Sequence, residues 1–188
     1  MKPSRNVTLL AAGLLSFGAI AVMAQDSGAG NADRMNNGSP DQSFMMKAAQ
    51  GGQAEVELGN LAQSNAKSDA VKQFGQRMVT DHSKANDELK NIAVQKNVTL
   101  PTSLDAKDQA TKDKLSGMKG AAFDRAYMAD MVKDHKTDIA AFEREARSGK
   151  DSDVKAWAEK TLPTLREHLR LAEKTDSEVR SGGSGGSL

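Results

Sequence analysis

Residues 71–92, VKQFGQRMVTDHSKANDELKNI, repeat apolar side chains at intervals of three and four, which is the spacing of one helix face. The positions on this face are Val71, Phe74, Met78, His82, Ala85, Leu89 and Ile92. His82 is the polar residue in an otherwise apolar stripe. The stretch therefore predicts an amphipathic helix over about residues 68–95, with Ser68 as N-cap and a histidine on its buried face.

Three further segments have the same periodicity, at about residues 43–66, 121–147 and 151–174. Their stripes include, in chain order, Met45, Ala48, Gly52, Glu55, Gly59, Ala62; Phe123, Tyr127, Met131, His135, Ile139, Phe142, Ala146; and Val154, Trp157, Thr161, Leu165, His168, Ala172. A short helix starting near Asp105 and ending near Gly117 is predicted between the second and third long helices. The expected fold is all-α: an up-and-down four-helix bundle with this short extra helix.

The composition excludes several classes of protein. The chain has no cysteine, so disulfides, thiolate catalysis and cysteine-ligated metals are ruled out. A formal charge of +1 and an aromatic content of 4% do not fit a nucleic-acid binder, which needs basic and stacking surfaces. Any metal has to be held by histidine, carboxylate or methionine.

The N-terminal segment predicts export. Lys2 and Arg5 precede an apolar run over residues 9–24, and Val22 and Ala24 suit signal peptidase, so we expect residues 1–24 to be removed. An uncleaved membrane anchor is the alternative, although the run is short for a bilayer span. The predicted product is a soluble periplasmic or otherwise extracytoplasmic protein. It has a flexible tail at 25–41, a bundle domain at 42–175 and a flexible Gly/Ser tail at 176–188.

Four metal-capable side chains lie on the four stripes: Glu55, His82, His135 and His168. They predict a site for one transition metal ion, with zinc or copper favoured over a di-iron centre. Helix counting leaves a height mismatch of about 4–5 Å between Glu55 and His82, and about 7–8 Å between His135 and His168. The alternative is that the histidines are ordinary core residues satisfied by hydrogen bonds.

Further candidates lie next to these histidines. Met78 and Met131 precede His82 and His135 by one turn, and a thioether with an imidazole suits Cu(I). An acid precedes each histidine and could hold an imidazole of the next helix. These acids are Asp81, Asp134 and Glu167. The alternatives are that the methionines only fill the core and the acids are surface charges.

Four stretches carry a family resemblance: FMMKAAQGGQAE at 44–55, FGQRMVTDH at 74–82, FDRAY at 123–127 and LPTLREHL at 162–169. Together they resemble the bacterial ferritin-like family of the domain of unknown function 4142, whose members are often labelled predicted outer membrane proteins. The resemblance implies a ferritin-like four-helix bundle exported past the inner membrane, without an established activity. The Glu-x-x-His pairs of di-iron bundles are missing, because Val79, Val132 and Leu165 occupy the glutamate positions.

The sequence therefore favours an exported envelope protein that binds a transition metal within a helical bundle, for metal buffering or stress tolerance. The alternative is a metal-free envelope protein that acts through contacts with other proteins. No motif of nucleotide binding or of a serine nucleophile occurs, so the prediction leans against an enzyme. Envelope proteins or further copies of the chain are the expected partners.

Overall fold

The computed structural model describes residues 38–182, and the predicted signal segment and the ends of both predicted tails lie outside them. Within this range the chain forms helices and no strand, which confirms the all-α prediction. The elements are α1 (Pro40–Asn65), α2 (Asp69–Gln95), α3 (Ala106–Ser116), α4 (Gly120–Ser148) and α5 (Ser152–Ser181). No helix in this part of the chain combines the length and apolar character needed to cross a membrane.

Local sequence signals set the helix ends. The Ser39 side chain accepts from the Gln42 amide and the Gln42 side chain accepts from the Ser39 amide, which forms a capping box with Pro40 at the first turn. The Asp105 side chain accepts from the Asp108 amide at the start of α3, and the Asp151 side chain accepts from the Asp153 and Val154 amides at the start of α5. Ser68 occupies the N-cap position of α2 as predicted, but its side chain makes no capping hydrogen bond.

The last helix is longer than the sequence pattern indicated. α5 continues to Ser181, through residues that were expected to begin the C-terminal tail. The Arg180 guanidinium pairs with Asp176 one turn earlier at 2.7 Å. Thr175 is buried, and Val179 packs against the apolar core. These contacts give the extra turns partners that periodicity alone did not show.

The four long helices pack as two hairpins. α1 packs on α2 and α4 on α5, and the hairpins meet through α1 with α4 and α2 with α5. Asp41 near the start of α1 accepts from the Lys150 and Asp151 amides at the α4–α5 turn. Asp124 near the start of α4 accepts from the Lys67 and Ser68 amides at the α1–α2 turn. These contacts make α1 antiparallel to α4.

Because each hairpin is antiparallel, α2 and α4 run in the same direction. A strict up-down-up-down order would need these two helices to be antiparallel. The predicted up-and-down order of the four long helices is therefore wrong. The segment between Gln95 and Gly120, which contains α3, returns along the bundle instead of making a tight turn. A short turn cannot connect parallel helices.

α1 and α2 approach closely at two glycines. A Cβ built on Gly75 would lie 2.6 Å from the Ala62 Cβ and 2.8 Å from the Gly59 carbonyl oxygen. A Cβ on Gly59 would lie 2.6 Å from the Gly75 carbonyl oxygen. Glycine at these positions therefore serves tight helix packing, which offsets its low helix propensity.

Two apolar clusters fill the bundle. One contains Phe74, Phe123, Tyr127, Met128 and Met131. The other contains Met45, Leu89, Phe142, Trp157 and Leu165. A layer of buried polar side chains, formed by Glu55, His82, His135 and His168, lies between the two clusters along the helices.

Candidate metal centre

Three imidazoles meet in the polar layer. His82 on α2, His135 on α4 and His168 on α5 are all buried. Their ring centroids lie 5.3 to 5.8 Å apart. One ring nitrogen of each histidine lies within 4.8 Å of those of the other two. The structure thus brings together the three histidines that sequence spacing placed on separate helices.

The predicted height mismatch between His135 and His168 was too large, since their ring centroids lie 5.4 Å apart. α4 ends at Ser148 and α5 begins at Ser152, so the turn is centred on Lys150, one residue later than the sequence estimate. His135 and His168 then differ by three residues in distance from the turn, or about 4.5 Å of helix rise. The remaining difference is within the reach of the side chains.

Hydrogen bonds orient two of the rings. The Nδ1 atom of His135 donates to the Met131 carbonyl oxygen at 2.9 Å, which leaves Nε2 with its lone pair. The Nε2 atom of His168 donates to the Asp81 carboxylate at 2.8 Å, which leaves Nδ1 with its lone pair. These nitrogens and Nε2 of His82 are buried without a hydrogen-bond partner. Each ring therefore offers one free nitrogen, the form in which histidine binds metals.

Burial keeps these histidines neutral. It is the main cause that lowers the pKa of His82 well below its usual value, and the nearby His135 and His168 lower it further. Burial and then His168 lower the pKa of His135 to about 4. Burial also lowers the pKa of His168, against the opposing effect of the Asp81 carboxylate. At neutral pH a metal ion would have no proton to displace from these rings.

The arrangement fits a single ion. Bonds from zinc to imidazole nitrogen are about 2.0–2.1 Å long, so two nitrogen ligands lie roughly 3.3–3.5 Å apart. Nitrogens within 4.8 Å of one another reach that separation through ring movements of about 1 Å, which side-chain rotation can supply. The three free nitrogens suit copper or zinc on chemical grounds.

Glu55 lies beside the histidines but outside the group of three nitrogens. Its Oε1 is 3.7 Å from Nδ1 of His135, on the edge of the ring that donates to Met131. Both carboxyl oxygens are buried without a hydrogen bond, as is the Tyr127 hydroxyl. Burial first, and then nearby aspartates, raise the pKa of Glu55 well above its usual value. Burial therefore favours the protonated, neutral form of this side chain.

The acids that precede the histidines have different roles. Asp81 contacts His168 across the helix interface, and Arg77 donates to the same carboxylate oxygen at 3.2 Å. Asp134 pairs with Lys107 at 3.1 Å, and Glu167 pairs with Arg170 at 2.8 Å. Asp81 therefore orients an imidazole, whereas Asp134 and Glu167 have lysine or arginine partners outside the polar layer.

Met78 and Met131 are fully buried in the apolar cluster that contains Phe74 and Tyr127. The contact of Met131 with the histidines is made by its main-chain carbonyl oxygen. The methionines thus pack next to the polar layer.

Asp138 was not indicated by the sequence stripe. It lies three residues after His135 on α4, and it lines a small cavity that His82 also lines. Burial, followed by the neighbouring Asp134 carboxylate, raises the pKa of Asp138 to about 7. The spacing of His135 and Asp138 on one helix face was the available signal.

The fold is similar to two solved structures. A DUF305 fragment from Deinococcus radiodurans has a TM-score of 0.67 at 11% identity, and the match covers 75% of this chain and 97% of that chain. CopM in the Cu(I)-bound form has a TM-score of 0.60 at 15% identity, with 71% of this chain and 93% of that chain covered. At these identities the likeness concerns the fold alone. No curated protein matches the chain.

The family comparison agrees with the resemblance carried by the four sequence stretches. The family described as Domain of unknown function (DUF4142) matches residues 24–175. The matched range includes the three histidines and Glu55. The chain therefore belongs to the DUF4142 family.

Proposed function

We propose that this protein binds one transition metal ion between His82, His135 and His168, with copper as the first candidate. One observation carries the proposal: three buried histidines from three helices each keep a ring nitrogen without a protein partner. In the same group, one nitrogen of each ring lies within 4.8 Å of the others.

The energetics of burial support a bound ion. A buried polar atom without a hydrogen bond costs about 1–3 kcal/mol. If packing were the only role of these three histidines, apolar side chains could take their places with little loss of stability. A metal ion would use all three lone pairs, and its binding free energy would stabilise the folded chain.

Copper is placed before zinc because of what surrounds the imidazoles. Three histidines bind either metal, since zinc can complete its coordination with water, whereas thioether groups such as those of the two nearby methionines select Cu(I). Glu55 is the candidate for a fourth ligand, and it would first have to lose its proton and turn towards the group. CopM, whose fold is similar, was solved in a Cu(I)-bound form. Met78 and Met131 remain further candidates for a soft ion if their side chains turn towards the imidazoles.

The wider proposal concerns the setting of this site. We place the bundle in the ferritin-like group, with one long crossover between its hairpins, and the protein in the periplasm or another extracytoplasmic space. Metal buffering or stress tolerance is the proposed role there. The apolar run over residues 9–24 supports export, and the antiparallel hairpins joined through α3 support the fold assignment.

The decisive experiment measures metal content. The protein is purified without an affinity tag, stripped with a chelator, loaded separately with Cu(I) and Zn(II), desalted and analysed by mass spectrometry. We expect about one equivalent of copper per chain, and a rise in melting temperature on loading, because the ion binds the folded state.

The control is Lys84→Gln, which changes an exposed residue two positions after His82 on α2. It should keep full metal content, whereas His82→Gln should not. Retention of less than about a tenth of an equivalent by the unaltered protein would contradict metal binding, since a buried three-ligand site holds its ion through desalting. The metal-free envelope protein would then be the better description.

A further inference from the structure

An acidic cavity opens on the side of the bundle. It has a volume of about 600 Å³ and lies between α1, the start of α3 and α4. Its acidic lining residues are Asp105, Asp108, Asp134, Asp138 and Glu145, and its basic ones are Lys47, Lys107 and Arg144. The Lys107 ammonium lies 3.1 Å from Asp134 and 3.6 Å from Asp108, so these carboxylates already attract a cation.

A second, smaller cavity of about 20 Å³, which we call the inner cavity, has more deeply buried lining residues. His82, Trp157 and Thr161 line it, and its volume suits roughly one water molecule or ion. His82 is buried, and its Nε2 has no hydrogen-bond partner. The inner cavity therefore borders the imidazole ring of a candidate metal ligand.

Asp138 lines both cavities and is the ionisable residue among those they share, since the others are Ala48 and Phe142. Its side chain is half-buried. Its main chain belongs to α4, but its carboxyl group makes no hydrogen bond or ion pair among residues 38–182. A carboxylate in this position can take up a cation from the outer cavity and hand it to an imidazole, which binds copper more strongly than a carboxylate does.

We infer that Asp138 is the relay by which metal cations pass from the outer acidic cavity to His82. The inference rests on the proposed function and adds the route of entry. The carboxylates of the outer cavity raise the local cation concentration, and the single inner position next to His82 admits one ion at a time. Lys107 competes with the entering ion for Asp134 and Asp108.

The test uses Trp157, the single tryptophan of the chain, because it lines the inner cavity together with His82. Copper(II) ions quench nearby indole fluorescence, so stopped-flow mixing with copper(II) alone reports arrival of the metal. We expect Asp138→Asn to lower the association rate by roughly tenfold, because one steering and relaying charge is lost. Dissociation should slow by a similar factor, so that the equilibrium affinity changes little.

Asp87→Asn is the matched control, since it removes the same charge from an exposed position on α2 that lines neither cavity. It should bind copper at the unaltered rate. If Asp138→Asn associates as fast as this control, the relay is wrong. Normal association with faster dissociation would also overturn it, because Asp138 would then be a ligand of the bound ion.

Asp138→Glu separates the carboxylate from the shape of the side chain. It should restore the association rate to within about threefold of the unaltered protein, since the charge returns. A rate as slow as that of Asp138→Asn would show that packing controls entry and would contradict the relay. If the unaltered protein takes up no copper by mass spectrometry, the proposed function fails along with the route. If the unaltered protein takes up copper but the Asp138 substitutions do not change the association rate, only the proposed route of entry is wrong.

Discussion

Asp81 on α2 accepts a hydrogen bond from Nε2 of His168 on α5, at 2.8 Å, and so fixes which nitrogen of that ring is free. The acceptor is a carboxylate, so the proton has to reside on Nε2 and the lone pair on Nδ1. An acid next to one histidine thereby orients a different histidine on the neighbouring helix.

Asp81→Asn should weaken metal binding while leaving the fold intact. The amide removes the negative charge that favours this ring orientation, and loss of such an orienting partner typically costs about 10–100-fold in metal affinity. Competition with a chromogenic copper chelator measures the change. Asp87→Asn, on the exposed side of the same helix, should have the affinity of the unaltered protein. Equal affinities for both variants would show that the Asp81 contact does not tune the site.

His82→Gln should abolish metal binding with little effect on the metal-free protein. Gln has a similar volume, and the ring nitrogen Nε2 of His82 has no hydrogen-bond partner to lose. The melting temperature should therefore no longer rise on metal loading, while the metal-free value stays near that of the unaltered protein. A loss of about 1–3 kcal/mol without metal would instead point to a hydrogen-bonded core residue.

His135→Gln and His168→Gln extend this test to the whole layer. In a single shared site, each substitution removes one of three ligands, so each variant should fall below one equivalent of metal. Mass spectrometry of the desalted variants gives the stoichiometry. A full equivalent retained by every single variant would contradict the shared site.

Acid should destabilise the metal-free protein through His135. Its pKa is about 4 in the folded chain and about 6.5 when unfolded, so between these values the unfolded state binds a proton that the folded state does not. As far as it depends on His135, the free energy of unfolding has its full value above pH 6.5 and decreases as the pH falls towards 4. Between pH 7 and pH 4 the free energy of unfolding of the unaltered protein should therefore fall by about 3 kcal/mol more than that of His135→Gln. Urea unfolding of both proteins at several pH values measures this difference. If the difference between their free energies of unfolding is the same at every pH, the prediction is wrong.

Gly75→Ala should destabilise the bundle, although alanine is the better helix former. The new methyl group would lie 2.6 Å from Ala62 and 2.8 Å from the Gly59 carbonyl oxygen. Such overpacking costs about 1–3 kcal/mol, against a propensity gain of about 1 kcal/mol. Gly51→Ala is the control, because nothing lies within 4 Å of its added Cβ, and it should stabilise the protein. Urea unfolding of both variants gives the comparison, and stabilisation by Gly75→Ala would contradict close packing there.

Helix periodicity was sufficient to predict the helices and the buried positions of the three histidines, because a stripe at intervals of three and four has to face the core. It could not predict the direction of α4 relative to α2. That direction depends on the contacts of Asp41 and Asp124 with turns more than fifty residues away in the chain. Local patterns carry no information about such partners.

The details of the site depend on contacts between helices, which one helix pattern does not contain. The sequence named Asp81 as an acid that could hold an imidazole of another helix, but it did not indicate that this imidazole belongs to His168. Asp138 was missed for a related reason, since it acquires its place only when two cavities form around it. Glu55 was correctly expected to be buried, but its position on the Nδ1 edge of His135 depends on how α1 and α4 pack.

The reciprocal contacts of Asp41 and Asp124 also set the alignment of the histidine layer. If one hairpin slid along the other by a single helical turn, the amides of Lys67, Ser68, Lys150 and Asp151 would all lose their carboxylate acceptors. Asp41 precedes Glu55 by 14 residues, or about 21 Å of helix. The vertical register of the imidazoles is thus held by two clamps at opposite ends of the bundle, well away from the ligands themselves.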